Sequence, residues 1–495
     1  MANRAVGAIL WIYFWIGALW QGYFAETALL FSNLILFAGW LVVLFLKREI
    51  AFSRVHLLIF LIVAVYWISV AYAVDAEQAI LEASRVSALL PVSLMFLLLP
   101  ADEVRNQCGI WPWIGLALTA AGIAYQMFRD GRLESTLAYA NALAVFLLVN
   151  IFISLVSYIR DRRFVHLVLL TANVAGLWLT FSRSVWVLWL ALMLAAVLWM
   201  PEFRRRRVWL NVGAAHAAGL IIALLVKGDG FFFWQRVASI RPQTSEFQIR
   251  LLYWKDGLGM LPDYWLGGTG GGGWNVLLPY YRTQAYFVKF IHNHYLQLAL
   301  DIGIFGLLAF AGWLALFYVA AFRQMKRMHD ADRIWAKGIV LSVTALALHA
   351  GFDFDLTFPM LLGVMAGLTV PAFPAAYRAQ LPKLALGLSA AAALSAIFVF
   401  GWLASAYGYG QTAQSLSKAG MHDDAQRLFA RAERMLPWSS SIPYESAKGY
   451  VRQGNETGQW VYYQLAREKL LEAKEKVPEQ ALYDDLLRQL PADRW

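Results

Sequence analysis

Long stretches without a charged residue recur along the chain, and they limit its possible folds more than any other feature. Several reach about 18 residues, enough to cross a bilayer as a helix. Examples are Ala28–Leu46, His56–Val74, Gly109–Phe128, Val208–Val226, Ile302–Phe322 and Leu384–Ala404. Only 15% of the 495 residues are charged and 60% are hydrophobic, whereas a soluble domain has about 25% charged residues. The sequence therefore predicts a membrane protein.

The spacing of these stretches predicts an all-α polytopic fold. A window of about 19 residues finds about 13 hydrophobic spans, so we expect about 12–14 transmembrane helices. The spans begin near residues 5, 28, 56, 86, 109, 138, 164, 184, 208, 301, 335, 356 and 383. The first stretch is too long for the core of a secretory signal and no small-residue cleavage site follows it, so we interpret it as a retained span.

The positions of the basic residues predict how the spans are oriented in the membrane. The clusters that follow spans 2, 6, 8, 10 and 12 are Lys47–Arg48, Arg160–Arg163, Arg204–Arg207, Arg323–Arg333 and Arg378–Lys383. All lie on the same side as Arg4, and the positive-inside rule makes that side cytoplasmic. We therefore expect the N-terminus inside and the C-terminus outside. The long loop 227–290, between spans 9 and 10, is then extracytoplasmic. The cytoplasmic loops are too short for a nucleotide-binding domain, which argues against ATP-driven chemistry.

The composition changes after the last span. Residues 1–404 form the predicted transmembrane domain, and residues 405–495 form a polar extracytoplasmic tail. Two stretches of the tail, Met421–Pro437 and Trp460–Pro478, have helical apolar spacing and end in proline, a pattern that resembles degenerate tetratricopeptide helices. The tail is a candidate site for a protein partner, and a small helical cap on the membrane domain is the alternative.

Charge and cysteine content narrow the possible functions. The net charge of +10 is explained by basic cytoplasmic loops, so it does not indicate nucleic-acid binding. The single cysteine, Cys108, excludes an internal disulfide and a thiolate metal cluster.

Two arginines are candidate site residues on the predicted outer face. Arg183 lies between two apolar spans, where a guanidinium is costly unless it functions or reaches the membrane edge. Arg250 opens an amphipathic helix that includes Trp254, and a glycine run, Gly267–Gly273, follows. Such a run allows close approach of a ligand to the backbone, or it is a flexible loop tip. It lacks the Lys-Ser/Thr of a nucleotide-binding loop.

A histidine-containing segment closes the long loop. His292, Asn293 and His294 precede the tenth span, and a histidine there can accept a proton near neutral pH. A zinc site at the two histidines is the alternative, but no carboxylate–histidine set accompanies them. We predict no metal and no cofactor.

The order of these motifs is similar to that of the O-antigen ligase and O-antigen polymerase superfamily, which also contains protein O-oligosaccharyltransferases. The resemblance runs from about residue 130 to 375. It comprises the Ser-Arg at Arg183, the Arg-x-x-x-Trp from Arg250 to Trp254, and the closing His-Asn-x-Tyr-Leu-Gln. It also includes Arg132-Leu…Tyr-Ala-Asn141 and His349…Phe-Asp353…Phe-Pro359. The glycine run is longer than usual, and the second histidine leaves open which one acts, although His292 matches the family position.

The resemblance implies a bacterial cytoplasmic-membrane glycosyltransferase of surface polysaccharide assembly. It would move a glycan from an undecaprenyl diphosphate carrier to a hydroxyl of a lipid, glycan or protein acceptor, without metal or nucleotide sugar and with inversion. His292 would be the general base, and Arg183 and Arg250 would stabilise the diphosphate. The predicted substrate-binding residues are Asn293, His294, Trp254, Arg132 and Asn141.

Three other functions remain open from the sequence. A repeat-unit polymerase of the same superfamily would use a second lipid-linked glycan as acceptor. A lipid-linked sugar flippase would need charged residues in its spans and internal symmetry, and the spans are almost free of charge. A membrane anchor that only presents the tail would need no outer arginine and histidine set.

Overall fold

The protein is almost entirely helical. The computed structural model describes residues 2–228, 230, 235, 238 and 245–491; part of the predicted outer loop lies outside these residues. The helices, numbered in chain order, are α1 Ala2–Leu19, α2 Glu26–Lys47, α3 Val55–Ser69, α4 Ala76–Ser87, α5 Leu89–Leu98, α6 Ala101–Cys108, α7 Trp111–Ala124, α8 Ala140–Asp161, α9 Phe164–Leu179, α10 Arg183–Trp199, α11 Arg206–Lys227, α12 Ser245–Tyr264, α13 Gly273–Tyr281, α14 His294–Met325, α15 Asp330–Ala350, α16 Pro359–Thr369, α17 Lys383–Lys418, α18 His422–Met435, α19 Ser441–Thr457, α20 Trp460–Lys476 and α21 Ala481–Gln489. Two antiparallel strand pairs complete the fold: β1 Glu49–Phe52 with β4 Tyr377–Gln380, and β2 Phe128–Arg129 with β3 Arg132–Leu133.

The predicted spans correspond to helices. Within the described residues, nine helical segments are long and apolar enough to cross a membrane, and four shorter apolar helices accompany them. Each predicted span coincides with one of these segments. The all-α polytopic fold is therefore confirmed.

The fourth span is longer and more polar than the sequence indicated. It was predicted from residue 86, but α4 and α5 form one apolar segment from Ala76 to Leu98. The added turns bury Glu77, Glu82 and Arg85. Arg85 pairs with Glu82 at 3.0 Å and donates to the Thr357 carbonyl at 2.7 Å, and such pairing is what a buried charge requires. The expectation that the spans are almost uncharged fails here.

Helix α8 is the centre of the membrane domain. It is apolar around its whole circumference, and nearly all of its residues are buried, as expected for a helix surrounded by others. It packs against α7, α9 and α15. Its first turn carries Asn141, so this central helix fixes the position of a predicted site residue.

The two ends of the helix bundle carry different groups of polar residues. At one end, Arg4, Arg105, Arg160 and Arg163 line a single groove. At the other end, the turns before α8, α10, α14 and α16 meet through side-chain hydrogen bonds. This separation agrees with the predicted sidedness, and the orientation in the membrane stays a prediction.

The glycine run is packed tightly rather than held out as a loop tip. Helix α14 has non-helical backbone at Ile302 and Gly303, and the run lies against this kink. A Cβ on Gly268 would come within 2.4 Å of the Asp301 backbone, and one on Gly303 within 2.1 Å of the Leu266 oxygen. Both residues have positive φ, which glycine adopts without steric cost. The flexible-tip interpretation is therefore wrong, because the run provides close packing.

The tail is a stack of helices that lies on the membrane domain. Helices α17 to α20 pack in sequence order, and Val276 of α13 packs against Ala473, Val477 and Tyr483 of the tail. Glu77 accepts hydrogen bonds from the Tyr407, Ser439 and Ser441 hydroxyls and from the backbone N–H groups of Ser440 and Ser441. The tail is thus fixed to the start of α4. The domain boundary and the likeness to tetratricopeptide repeats stay predictions.

Candidate functional site

The site is built around Asp353, which is 0% exposed in the turn between α15 and α16. His292 Nδ1 lies 3.0 Å from Oδ1, and Arg250 Nη2 lies 3.1 Å from Oδ2. The Tyr139 hydroxyl donates to both oxygens at 2.8 and 2.9 Å, and the Asn141 amide donates to Oδ2 at 2.6 Å. A buried carboxylate with so many donors stays ionised and holds its partners in place.

Burial and hydrogen bonding act in opposite directions on this carboxyl. Burial would raise the pKa of Asp353, but the hydrogen bond from His292 and the charge of Arg250 outweigh it. The pKa therefore lies well below its usual range. An anionic Asp353 makes His292 Nδ1 the donor, so Nε2 is left as the basic nitrogen.

A second layer of polar residues supports this core. The Asn141 side-chain oxygen accepts from Arg132 Nη2 at 2.6 Å and from the Ser182 hydroxyl at 2.9 Å. Arg132 Nε also donates to the Thr180 carbonyl at 2.9 Å. The turns before α8 and α10 are thereby joined to Asp353.

The backbone at His292 is unusual for a residue with a side chain. Its φ is +53°, a left-handed conformation that costs free energy and often occurs at functional sites. Trp254 Nε1 donates to the His292 carbonyl at 3.2 Å. The Tyr253 ring stacks on the imidazole at 6.0 Å between centroids, and Phe354 meets it edge-on at 4.9 Å. These contacts fix the ring that pairs with Asp353.

Arg183 lies at the edge of the cluster, as the first residue of α10. It forms an ion pair with Glu246 of α12. The start of an α-helix has unsatisfied N–H groups and a partial positive charge, so it favours anions. Arg183 and this helix start together give the site a cationic edge.

A second histidine–aspartate pair lies beside the first. His349 Nδ1 contacts Asp355 Oδ2, and its Nε2 lies 3.0 Å from the Ser184 hydroxyl oxygen. His349 and Asp355 are 1% and 2% exposed, whereas Ser184 is half-buried. The Ser184 and Ser182 hydroxyl oxygens are 3.5 Å apart, so the two pairs are connected.

The predicted site residues divide into four groups. His292, Arg250, Arg132 and Asn141 form one hydrogen-bonded cluster, and Trp254 and Arg183 border it. Asn293 caps α14 by accepting from the Leu296 N–H at 3.0 Å. His294 turns away and packs edge-on against Phe310 at 5.4 Å. The structure thus gives the two histidines different surroundings.

Sequence reasoning missed the centre of the cluster. Asp353 and Tyr139 were noted only as parts of two motifs and not as site residues. A signal was available, because the positive-inside rule also places the turns 128–138 and 352–355 on the outer side with His292; Tyr139 directly follows the first turn and Asp353 lies in the second. Nothing in the sequence pairs Ser184 with His349, because 165 positions separate them.

Fold and site together define a class: a polytopic helical membrane protein with a cationic cluster that contains an imidazole at one end of its bundle. A family model described as O-antigen ligase matches residues 166–311. This match confirms the resemblance to the O-antigen ligase and polymerase superfamily. It supports a role of ligase or polymerase type in surface polysaccharide assembly, with lipid-linked glycans as substrates. No curated protein matches the chain.

The matched segment covers only part of the cluster. It contains Arg183, Arg250 and His292, whereas Arg132, Asn141 and Asp353 lie outside it. The structure joins the two sets by direct hydrogen bonds. The site is therefore larger than the segment that carries the family likeness.

Proposed function

We propose that the protein transfers a glycan from an undecaprenyl diphosphate carrier to an acceptor hydroxyl, on the outer face of the bacterial cytoplasmic membrane. One observation carries this proposal: the His292–Asp353 pair lies beside Arg250 in a bundle whose residues 166–311 match the O-antigen ligase family model. The reaction needs a base for the acceptor and cations for the leaving diphosphate, and this cluster contains both.

His292 acts as the general base. Its Nε2 takes the acceptor proton as the acceptor oxygen bonds to the anomeric carbon, and Asp353 at 3.0 Å from Nδ1 stabilises the imidazolium that forms. A positioned base contributes about 10²–10⁴-fold to the rate. Attack from the face opposite the diphosphate inverts the anomeric centre.

Arg250 and Arg183 bind the diphosphate. When the bond between the anomeric carbon and the phosphate oxygen breaks, its electron pair passes to that oxygen, and preorganised cations stabilise the charge. Guanidinium suits this role because it stays charged and binds phosphate oxygens bidentately. Both arginines have acidic partners at rest, Asp353 and Glu246. We expect the diphosphate to compete with Glu246, which lies at the more exposed of the two pairs.

The central test is a reaction with purified protein and a lipid diphosphate-linked oligosaccharide. A ladder of products from the donor alone indicates a polymerase, whereas transfer only after a lipid or protein acceptor is added indicates a ligase. Donor that is moved across vesicles but never consumed would contradict the proposal and favour a flippase.

The outer location has its own test by cysteine labelling. Cys108 is buried, so a Cys108→Ser background leaves introduced thiols as the targets. Ala285→Cys lies on an exposed stretch before His292, and the matched control Ala376→Cys is exposed at the basic end. We expect a membrane-impermeant maleimide to label position 285 in intact spheroplasts and position 376 only after lysis. The reverse pattern would exclude chemistry on the outer face.

A further inference from the structure

The second histidine–aspartate pair is not used by the proposed reaction. Asp353 and Asp355 lie two positions apart in one turn, and each contacts Nδ1 of a different histidine, His292 or His349. His349 points its other nitrogen at the Ser184 hydroxyl, 3.0 Å away. A carboxylate, an imidazole and a hydroxyl in this order form a path for a proton.

The hydroxyl is the end of this path that a ligand can reach. His349 and Asp355 are buried, whereas Ser184 is half-buried in the first turn of α10, directly after Arg183. A diphosphate bound at Arg183 and at the start of this helix would bring an oxygen close to Ser184.

The position also argues against Ser184 as a nucleophile. Attack on the anomeric carbon comes from the face opposite the leaving group. Ser184 lies beside the arginine proposed to bind that leaving group, so its hydroxyl is on the departing side. A donor of a proton fits this position, and a covalent glycosyl intermediate on Ser184 does not.

The carboxyl groups of Asp353 and Asp355 have pKa values shifted in opposite directions. Burial raises the pKa of Asp355 above its usual range despite the opposing charge of His349, whereas the pKa of Asp353 is lowered. Neighbouring groups with opposed shifts are typical of an acid and a base in one site. Within the described residues, Asp353 and Arg250 also act on the charge of His349. The Tyr295 hydroxyl donates to the nearby Ala347 carbonyl, and Arg183 directly precedes the Ser184 that contacts His349.

We infer that Ser184 donates a proton to the departing diphosphate oxygen and that the His349–Asp355 pair replaces it. This inference rests on the proposed function. The bond between carbon and phosphate oxygen breaks, its electron pair goes to that oxygen, and the oxygen takes the Ser184 proton while Ser184 takes one from His349 Nε2. His292 meanwhile takes the acceptor proton. Afterwards His292 releases its proton to water and His349 takes one from water, so both histidines return to their starting states.

The test is the pH dependence of kcat/KM with the lipid-linked donor. The wild type should give a bell-shaped profile, in which the acidic limb reports the base and the alkaline limb reports the acid. Ser184→Ala should lose the alkaline limb and about 10²-fold in rate, and Ser184→Thr should keep the limb because it keeps the hydroxyl. Ser182→Ala, the matched neighbour, should retain both limbs even if its rate falls.

A second variant covers the case in which Ser184→Ala does not fold. His349→Gln can still donate a hydrogen bond to Ser184 but cannot supply a proton, so it should also lose the alkaline limb. An alkaline limb that persists in Ser184→Ala or in His349→Gln would overturn the inference and leave the proposed function intact. A wild type that consumes no donor at any pH would overturn both.

Discussion

Asp353 and Glu77 are both buried carboxylates with many hydrogen-bond donors, but their partners differ in kind. Glu77 is 1% exposed, and its partners are three hydroxyls and two backbone N–H groups. Asp353 is paired with Arg250 and His292, whose side chains are 18% and 19% exposed. The partners of Glu77 are all neutral, whereas those of Asp353 include a guanidinium and an imidazole that are partly exposed.

This difference separates a structural contact from a reactive site. Burial of an acid requires donors in both places, so burial alone does not identify function. A substrate can approach only where the donor side chains are partly exposed. Proton transfer also requires a donor that can change its charge. Disruption of Asp353 should therefore affect chemistry, and disruption of Glu77 should affect stability.

The largest expected effect is the loss of the accessible partners. We expect no detectable product from His292→Ala, Arg250→Ala or Arg183→Ala. Each variant removes the base or a cation that stabilises the transition state. The loss of the base alone should lower the rate by about 10²–10⁴-fold. Product formation is measured by mass spectrometry at equal amounts of membrane-inserted protein. Arg282→Ala is the matched control, because Arg282 is an exposed arginine of the same loop and donates to the Tyr286 carbonyl. Near-normal output from His292→Ala would remove the assigned base.

The next effect concerns the shared carboxylate. Asp353→Asn should lower kcat by about 10²–10⁴-fold, because a neutral amide at this position cannot fix the tautomer of His292 or stabilise its charged form. KM for the donor should change less than kcat. Equal losses of kcat in Asp353→Asn and Glu77→Gln would erase the proposed distinction.

The pH dependence of stability follows from the same carboxyl. The pKa of Asp353 is lower in the folded protein than in an unfolded chain, so its contribution is complete well above about pH 4, the usual aspartate value. The contribution declines as the pH falls below that range. The wild type should therefore lose more thermal stability than Asp353→Asn between about pH 6 and about pH 3, as measured by unfolding in detergent. A parallel decline would contradict this prediction.

A smaller effect is expected at the tail junction. Glu77→Gln removes the charge that holds the Ser439–Ser441 turn and turns one acceptor into a donor, at a cost of about 1–3 kcal/mol. The expected result is a lower unfolding temperature and faster proteolysis of the tail, with kcat of the folded protein largely kept. Glu475→Gln, on an exposed face of α20, is the control.

The smallest effect is expected from chelators. The proposed reaction uses arginines and an imidazole, so EDTA should leave the rate unchanged. Inactivation by EDTA with recovery on zinc addition would instead support the His-x-His metal alternative at His292 and His294.

The sequence predicted the fold and half of the site for physical reasons. Spans without charges and basic clusters on one side are local patterns, so they can be counted along the chain. They put His292, Arg250 and Arg132 on one face, and the structure joins them through Asp353. The Ser184–His349 contact and the burial of Glu77 depend on how distant helices pack, and no local pattern records that.

The length of α17 has a mechanical consequence. Its 36 residues span about 54 Å, against about 30 Å of hydrocarbon, so the helix continues well beyond the bilayer as a stiff rod. The tail is attached to this rod and is clamped a second time at Glu77. A pull on the tail would therefore reach α2, against which the rod packs, and, through Glu77, the start of α4, which contacts the glycine run beside the α14 kink.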